Sequence, residues 1–226
     1  MTVAAATRPV IDRPDADFVL VGVFRAGEGG PGRAVARAVT DFWRGVPWPT
    51  GLLSVNCYIS TDGSDVLTYE QWTDDEAAAR SLEQGGLSRT APVDGMSGVE
   101  VAGPVRYRLY RSSTSDEPRV PGCFVFASLL VDGHEAARQW VDQVLDSVDM
   151  STVAERDHPG GISAHFHISV DGTSALNYAE WDSEEAHIGF IEGAVRQEAL
   201  SQVGGMPRTA GIGDNRFLLF QGLVDN

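Results

Sequence analysis

The alternation of apolar and polar residues divides the chain into short strands and amphipathic helices. Two nearly continuous apolar runs, residues 18–24 and 124–130, are typical of central strands. A helical pattern follows each run, at about residues 33–43 and 134–148. The pattern predicts the order strand, helix, strand, strand, helix, strand, and it predicts this order twice.

The second half of each predicted unit begins with a hairpin that turns at Asp-Gly, over residues 52–72 and 161–181. We expect a helix after each hairpin, because residues there have the spacing of a capping box: Thr73 with Glu76, and Asp182 with Glu185. The last strands are expected at residues 105–110 and 216–220.

Three sequence blocks recur in the same order, which indicates an internal duplication. Residues 59–63 (ISTDG) match 168–172 (ISVDG), and 69–72 (YEQW) match 178–181 (YAEW), both at an offset of 109 residues. Residues 85–91 match 204–210 at an offset of 119 instead, so the second copy carries about ten more residues in or after its second helix. Each copy has the element order of a ferredoxin-like unit, which is an α+β fold.

The repeat sets the predicted domain boundaries. They are an N-terminal tail or surface arm at 1–16, a first ferredoxin-like domain at 17–110, a linker at 111–122 and a second ferredoxin-like domain at 123–226. A four-stranded sheet with both helices on one face leaves its other face bare. We therefore expect the two sheets to pack face to face as an internal pseudo-dimer in a monomeric chain, and association of two such chains stays open.

Composition and charge narrow the class of protein. Hydrophobic residues make up 42% of the 226 residues and charged residues 22%, as in ordinary globular proteins. The net charge of -15 argues against nucleic acid and against an anionic membrane surface as partners, because both require a basic face. The sequence shows neither a membrane-spanning run nor a secretion signal, so we expect a cytoplasmic protein. The two cysteines lie far apart in apolar runs, as buried hydrophobic residues do.

Polar residues on the second hairpin are the candidate chemistry. Asn177 and Trp181 share one face of their strand, and His165 and His167 share one face of the strand before it. A two-residue loop would place Phe166 opposite Asn177, whereas a three-residue loop with a left-handed glycine would place His165 there. We prefer the three-residue loop, because it collects the apolar side chains toward the other copy. It predicts a polar pocket beneath the helices.

The run from Asn177 to Trp181, preceded by His167 and followed by an acidic helix, resembles the antibiotic biosynthesis monooxygenase family. Members of that family are dimeric α+β barrels, and some are cofactor-independent oxygenases that form quinones from aromatic polyketides. The resemblance covers both copies and implies an intramolecular dimeric α+β barrel. It implies catalytic roles for Asn177, Trp181 and His167, and a functional arginine at Arg208. It implies no cofactor and no metal, with O2 as co-substrate and a small aromatic molecule as substrate.

The implied chemistry is consistent with these residue types. An anthrone-like phenol loses a proton to form an enolate, which can give an electron to O2. Asn177 could donate a hydrogen bond to the developing oxyanion, and His167 has a pKa suited to a general base. Trp181 offers a flat wall for a polycyclic ring. Residues expected to contact the substrate are His165, Arg208, His187 and Trp72.

The first copy departs from this pattern. Thr68 stands at the position of Asn177, Tyr58 at that of His167 and Asn56 at that of His165, although Trp72 matches Trp181. We therefore expect the active site in the second copy.

Structural roles are the alternatives for each of these residues. Trp72 and Trp181 could be core aromatics, Asn177 a satisfied polar residue of its strand and His187 an exposed helix residue. His165 and His167 have a spacing that allows a metal pair, but no third ligand stands nearby in the sequence. For the whole protein, the alternatives are a polyketide cyclase or isomerase that works without O2, and a non-catalytic small-molecule-binding protein.

Overall fold

The structure is a computed structural model that describes residues 3–6, 8–84, 90–116, 118–147, 160–193 and 208–225. Its strands are β1 (Val3–Ala6), β2 (Phe18–Arg25), β3 (Leu52–Ser60), β4 (Asp65–Trp72), β5 (Glu100–Thr114), β6 (Cys123–Leu130), β7 (Gly161–Ser169), β8 (Ser174–Trp181) and β9 (Thr209–Asp225). Its α-helices are α1 (Gly32–Gly45), α2 (Asp75–Gln84), α3 (His134–Ser147) and α4 (Glu184–Glu192), and a 3-10 turn spans Ala91–Val93. Of the helices in these ranges, none is long and apolar enough to cross a membrane.

Two compact units make up the chain. Unit 1 comprises residues 1–107 and 218–226, and unit 2 comprises residues 108–217. In unit 1 the strands lie in the order β3-β4-β2-β5, and neighbouring strands pair antiparallel. Helix α1 buries an apolar stripe that includes Val35, Val39 and Trp43, which is the spacing of one helix face.

Unit 2 has an equivalent strand order. Its strands lie in the order β7-β8-β6-β9, again with antiparallel pairing. Helix α3 packs Val141 and Leu145 against Phe166 of β7, so the helix covers one face of the sheet. The α+β class, with antiparallel strands and four described α-helices, is therefore confirmed.

The predicted boundaries differ from the structure at three places. Strand β5 continues to Thr114, so the predicted linker at 111–122 begins as strand. The predicted tail at 1–16 contains β1, in which Val3 pairs with Asp225. Residues 218–226 belong to unit 1 instead of the second predicted domain. The pairing of β1 with β9 joins segments far apart in the sequence, so no local sequence pattern predicts it.

The helix caps also differ from the predicted ones by one residue. Asp74, not Thr73, accepts a hydrogen bond from the backbone N–H of Ala77 at 2.7 Å. Ser183, not Asp182, is the N-cap of α4, and its hydroxyl accepts from the N–H of Ala186 at 3.2 Å. Both caps leave the helices in the predicted places.

The preferred register of the second hairpin is wrong. Phe166, and not His165, lies opposite Asn177. The reason is the chemistry of the turn: the Ser169 hydroxyl donates to the Asp171 carboxylate at 2.7 Å and accepts from the Ser174 N–H at 2.9 Å. These bonds close the hairpin around residues 170–173 and fix the register that a two-residue loop also predicts. The predicted ten-residue insertion falls within 194–207, outside the described residues.

Candidate functional site

The helix-facing side of β8 in unit 2 carries Trp181 against helix α4. The ring centroids of His187 and Phe190 both lie 5.1 Å from that of Trp181. Trp181 is 6% exposed and His187 7%. The interpretation of His187 as an exposed helix residue is therefore wrong, because its ring is covered by the indole. An imidazole and an indole stand together on this side of the sheet.

Asn177 lies on the same side of the same strand. Alternation along β8 points Asn177, Ala179 and Trp181 toward the helices. Asn177 is partly exposed, yet its Oδ1 atom is buried and has no hydrogen-bond partner among the described residues. Buried amide oxygens in folded proteins are normally hydrogen-bonded. The Asn177 oxygen is therefore an unused acceptor among the described residues, and the interpretation of Asn177 as a satisfied strand residue is wrong for this atom.

Small and aromatic side chains surround this amide. Its neighbours across the sheet are Ala127 and Phe166, and its neighbours along the strand on the same face are Ala175 and Ala179. The Phe166 ring meets Trp140 of α3 edge to face at 5.9 Å between centroids. The aromatic rings are suited to a flat apolar ligand.

The two histidines of β7 point to the other side of the sheet. His165 contacts the Ser112 hydroxyl through Nδ1 at 2.8 Å and the Ser163 hydroxyl through Nε2 at 3.1 Å. Ser163 in turn donates to the buried Glu180 carboxylate at 2.9 Å. The predicted convergence of His165 and His167 with Asn177 does not occur, because the register separates them by the thickness of the sheet.

His167 is fully buried on this second side, and its Nδ1 lies 3.1 Å from the carbonyl oxygen of His165. Burial, reinforced by the nearby His165, lowers the pKa of His167 from 6.5 to about 3. An imidazole with this pKa is a poor general base near neutral pH, so the expectation of a suitable pKa is wrong. In the described part of the chain, no group of three or more His, Cys, Asp and Glu residues could hold a metal ion.

The remaining predicted contacts lie elsewhere. Arg208 is exposed, and its carbonyl oxygen accepts from the N–H of Leu130, at the end of β6 remote from the pairing of Cys123 with Trp181. Trp72 is fully buried in unit 1, and its indole Nε1 donates to Glu70 at 3.3 Å. The structure thus brings Trp181 and His187 into contact and places Asn177 on the same side of the sheet, and it leaves the other predicted residues elsewhere.

Unit 1 contains a hollow that the sequence reasoning missed. Its enclosed part measures only about 30 Å³, the space of about one or two water molecules. Thr68 and Glu70 of β4 line it, together with Gly22, Phe24, Phe42 and Trp43. Applying the alternation of Thr68, Glu70 and Trp72 to the first copy would have identified Glu70, since these three residues share a face.

The fold is similar to that of several solved structures. An anthrone oxidase-like protein has a TM-score of 0.71 at 17% identity, over 95% of this chain and 95% of that one. A monooxygenase-like protein from Listeria innocua has a TM-score of 0.50 at 14% identity, over 90% of this chain and 94% of that one. A ferredoxin-fold protein from Listeria monocytogenes, related to antibiotic biosynthesis monooxygenases, has a TM-score of 0.50 at 11% identity, over 91% and 96%.

These similarities confirm the resemblance in fold: the structural neighbours are anthrone oxidase-like and antibiotic biosynthesis monooxygenase-related ferredoxin-fold proteins. At such identities the likeness concerns the fold alone. No protein-family model matches the sequence, and no curated protein matches it either.

Proposed function

We propose that the chain is a cofactor-independent monooxygenase that oxidises an aromatic polyketide intermediate of the anthrone or naphthol type, with its active site in unit 2. The observation that carries this proposal is that Asn177 lies on the helix-facing side together with the contacting pair Trp181 and His187, and that the Asn177 oxygen lacks a hydrogen-bond partner among the described residues. The fold of an anthrone oxidase-like protein, matched over 95% of the chain, adds support.

The architecture we propose is two fused ferredoxin-like domains that form an intramolecular dimeric α+β barrel. The equal element order in the two units supports the duplication. So does the equal register, since Cys57 opposite Thr68 corresponds to Phe166 opposite Asn177 at an offset of 109 residues in both strands.

In the proposed reaction the protein supplies a base, an oxyanion partner and a flat wall. His187 takes a proton from the substrate, which leaves an enolate. The enolate gives one electron to O2, recombination of the two radicals forms a carbon–oxygen bond, and the resulting peroxide takes the proton back from His187. Loss of water then converts the CH2 group to a carbonyl, so that one oxygen atom enters the product and the other leaves as water. The Nδ2–H group of Asn177 donates a hydrogen bond to the substrate oxygen as charge develops on it.

The spacing of these groups limits the size of the substrate. Asn177 and Trp181 are four residues apart on a strand, which corresponds to about 13 Å along the sheet. A ligand of several fused rings can reach both the amide and the imidazole beside the indole, whereas a single ring cannot. The proposed substrate class is therefore polycyclic.

Oxygen consumption tests the proposal. Purified protein treated with chelator, and free of flavin by its absorption spectrum, is mixed with anthrone and a panel of naphthols in an oxygen electrode. We expect uptake of one O2 per quinone formed, above the rate of uncatalysed oxidation measured without protein.

The outcomes under argon separate the alternatives. A rearranged product of unchanged oxygen content, formed equally under argon, would support the cyclase or isomerase function instead. Binding of the polycyclic compounds without any product would support a non-catalytic binding protein. Either result would overturn the oxygenase proposal.

A further inference from the structure

We propose that Ser112 of unit 2 is a nucleophile, activated by His165, that takes the acyl group of a small activated ester. The two residues belong to the same unit, and His165 lies on the side of the sheet opposite to Asn177. The proposal therefore concerns a second site and does not depend on the oxygenase function.

Strand β5 brings Ser112 beside His165. The end of β5 lies next to β7 in the sheet, where the N–H of Ser115 donates to the carbonyl oxygen of Ile162 at 2.8 Å. Ser112 is exposed, and its hydroxyl oxygen lies 2.8 Å from Nδ1 of His165. His165 is only 4% exposed, and its ring meets the buried Tyr178 ring edge to face at 5.7 Å between centroids. An accessible hydroxyl is therefore held against an imidazole of fixed orientation.

The directions of the hydrogen bonds around His165 make its Nδ1 atom an acceptor. Ser163 donates its single hydroxyl proton to the buried Glu180 carboxylate at 2.9 Å. The Ser163 oxygen must then accept at its 3.1 Å contact with Nε2 of His165, so Nε2 carries the ring proton. In the neutral ring Nδ1 has no proton and accepts from the Ser112 hydroxyl. A nucleophile, a base and a group that orients the base are the parts of an activated serine.

Unit 1 has amides where this site has its base and its carboxylate. Asn56 stands at the position of His165. Gln71 stands at the position of Glu180 and accepts from the Ser54 hydroxyl at 2.7 Å. An amide does not take a proton from a hydroxyl, so the base is particular to unit 2. Because unit 1 keeps its hydrogen bonds with Asn and Gln, the same two residue types are suitable replacements in unit 2.

In the proposed reaction the Ser112 oxygen attacks the carbonyl carbon of the ester, and Nδ1 of His165 takes the hydroxyl proton. The bond between the carbonyl carbon and the leaving oxygen then breaks, and the leaving alcohol takes that proton from His165. Water hydrolyses the acyl ester of Ser112 by the same proton transfers, which releases a carboxylic acid and restores the hydroxyl. Because the nucleophile is exposed, the substrate class we expect is a small ester with a good leaving group, such as an aryl acetate.

Release of 4-nitrophenol from 4-nitrophenyl acetate measures this reaction, and the chain contains no lysine that would compete for the acetyl group. Ser112→Ala should abolish most of the release, whereas Ser113→Ala, the next serine on the opposite face of the strand, should retain it. His165→Asn should slow the release by at least about 100-fold. Glu180→Gln removes the charge but keeps an acceptor for Ser163, so it should slow the release by a smaller factor.

Diisopropyl fluorophosphate identifies the nucleophile, because it forms a stable phosphorus–oxygen bond to an activated serine with loss of fluoride and a proton. We expect one adduct, located at Ser112 by peptide mass spectrometry, in the wild-type protein and in Asn177→Ala alike. An adduct at another residue, or none, would overturn the proposal. So would labelling of Ser112 at a rate that His165→Asn leaves unchanged, because the imidazole would then not be the base. Whether the protein oxidises anthrone changes none of these outcomes.

Discussion

Unit 1 and unit 2 place a glutamate on opposite sides of corresponding strands. Glu70 of unit 1 lines the helix-facing hollow, whereas Glu180 of unit 2 accepts a hydrogen bond from Ser163 on the other side. The two glutamates differ by one position within the repeat, and side chains alternate along a strand. Because the two glutamates differ by one position, their carboxyl groups lie on opposite sides of the sheet. The helix-facing sides of the two units therefore differ in chemistry.

On the side of the sheet away from the helices, a chain of hydrogen-bonded polar side chains is present in both units. Its titratable groups occur only in unit 2. In unit 1 the Ser54 hydroxyl donates to Gln71 at 2.7 Å, and the Asn56 amide donates to Ser54 at 3.2 Å. In unit 2, Glu180 and His165 replace Gln71 and Asn56 around Ser163. Unit 1 therefore has two neutral amides at the positions where unit 2 has a carboxyl group and an imidazole.

The largest effect is expected at His187, whose counterpart in unit 1 is Ala78. Removal of a general base typically lowers turnover by about 10²–10⁴-fold, so His187→Gln should lower the rate of anthrone oxidation by about that factor. Steady-state kinetics over a range of pH would measure it. The matched change Ala78→Ser should leave the rate unchanged. An unchanged rate in His187→Gln would show that His187 is not the general base.

The second effect concerns Asn177 and its counterpart Thr68. Loss of one oxyanion partner costs about 10²–10³-fold in turnover, and we expect Asn177→Ala to lose about that much with little change in KM. Thr68→Ala should retain the wild-type rate. Comparable losses in both variants would show that the two units share the reaction, which would contradict the division between them.

The third effect is on stability and distinguishes His167 of unit 2 from Tyr58 of unit 1. The pKa of His167 is lowered from 6.5 to about 3 by burial, so the unfolded chain binds its proton first as the pH falls. The contribution of neutral His167 is complete above pH 6.5 and is lost toward pH 3, by about 1.4 kcal/mol per pH unit.

Urea unfolding between pH 7 and pH 4 measures this loss. His167→Gln should flatten the dependence of the unfolding free energy on pH, whereas His134→Gln, at an exposed helix start, should not. An unchanged slope in His167→Gln would mean that other groups cause the acid sensitivity.

The smallest effect is expected at the helix caps, where the two units use different residues for one purpose. Asp74→Ala and Ser183→Ala each remove a side chain that accepts from a backbone N–H, and each should lower the free energy of unfolding, by about 1 kcal/mol for Ser183→Ala. Asp74→Ser and Ser183→Asp should cost much less, since both residue types cap helices well. Thermal or urea unfolding would show whether the caps are interchangeable.

Most of the fold could be predicted because its signals are local. The apolar runs, the Asp-Gly turns and the repeat place the strands and the helices within a few residues. Strand β1 could not be predicted, because Val3 pairs with Asp225 at the other end of the chain. The register depended on the hydrogen bonds of Ser169 and Asp171 within the turn, and the choice of loop length ignored them.

The candidate site could be predicted only in part, for the same reason. Asn177 and Trp181 share a face by alternation within one strand, which the sequence alone determines. The side on which His167 lies depends on the register, so an error of one residue placed it with Asn177. His187 comes from a helix, and its contact with Trp181 depends on packing that helical spacing does not specify.

Labelled oxygen is the most direct test of the division between the two units. Anthrone is converted under ¹⁸O2 by the wild-type protein, by Asn177→Ala and by Glu70→Gln, and the product is analysed by mass spectrometry. We predict one ¹⁸O atom per quinone at equal rates for the wild-type protein and Glu70→Gln, and only the background rate for Asn177→Ala. Loss of labelled product in Glu70→Gln, with Asn177→Ala as active as the wild-type protein, would contradict the account.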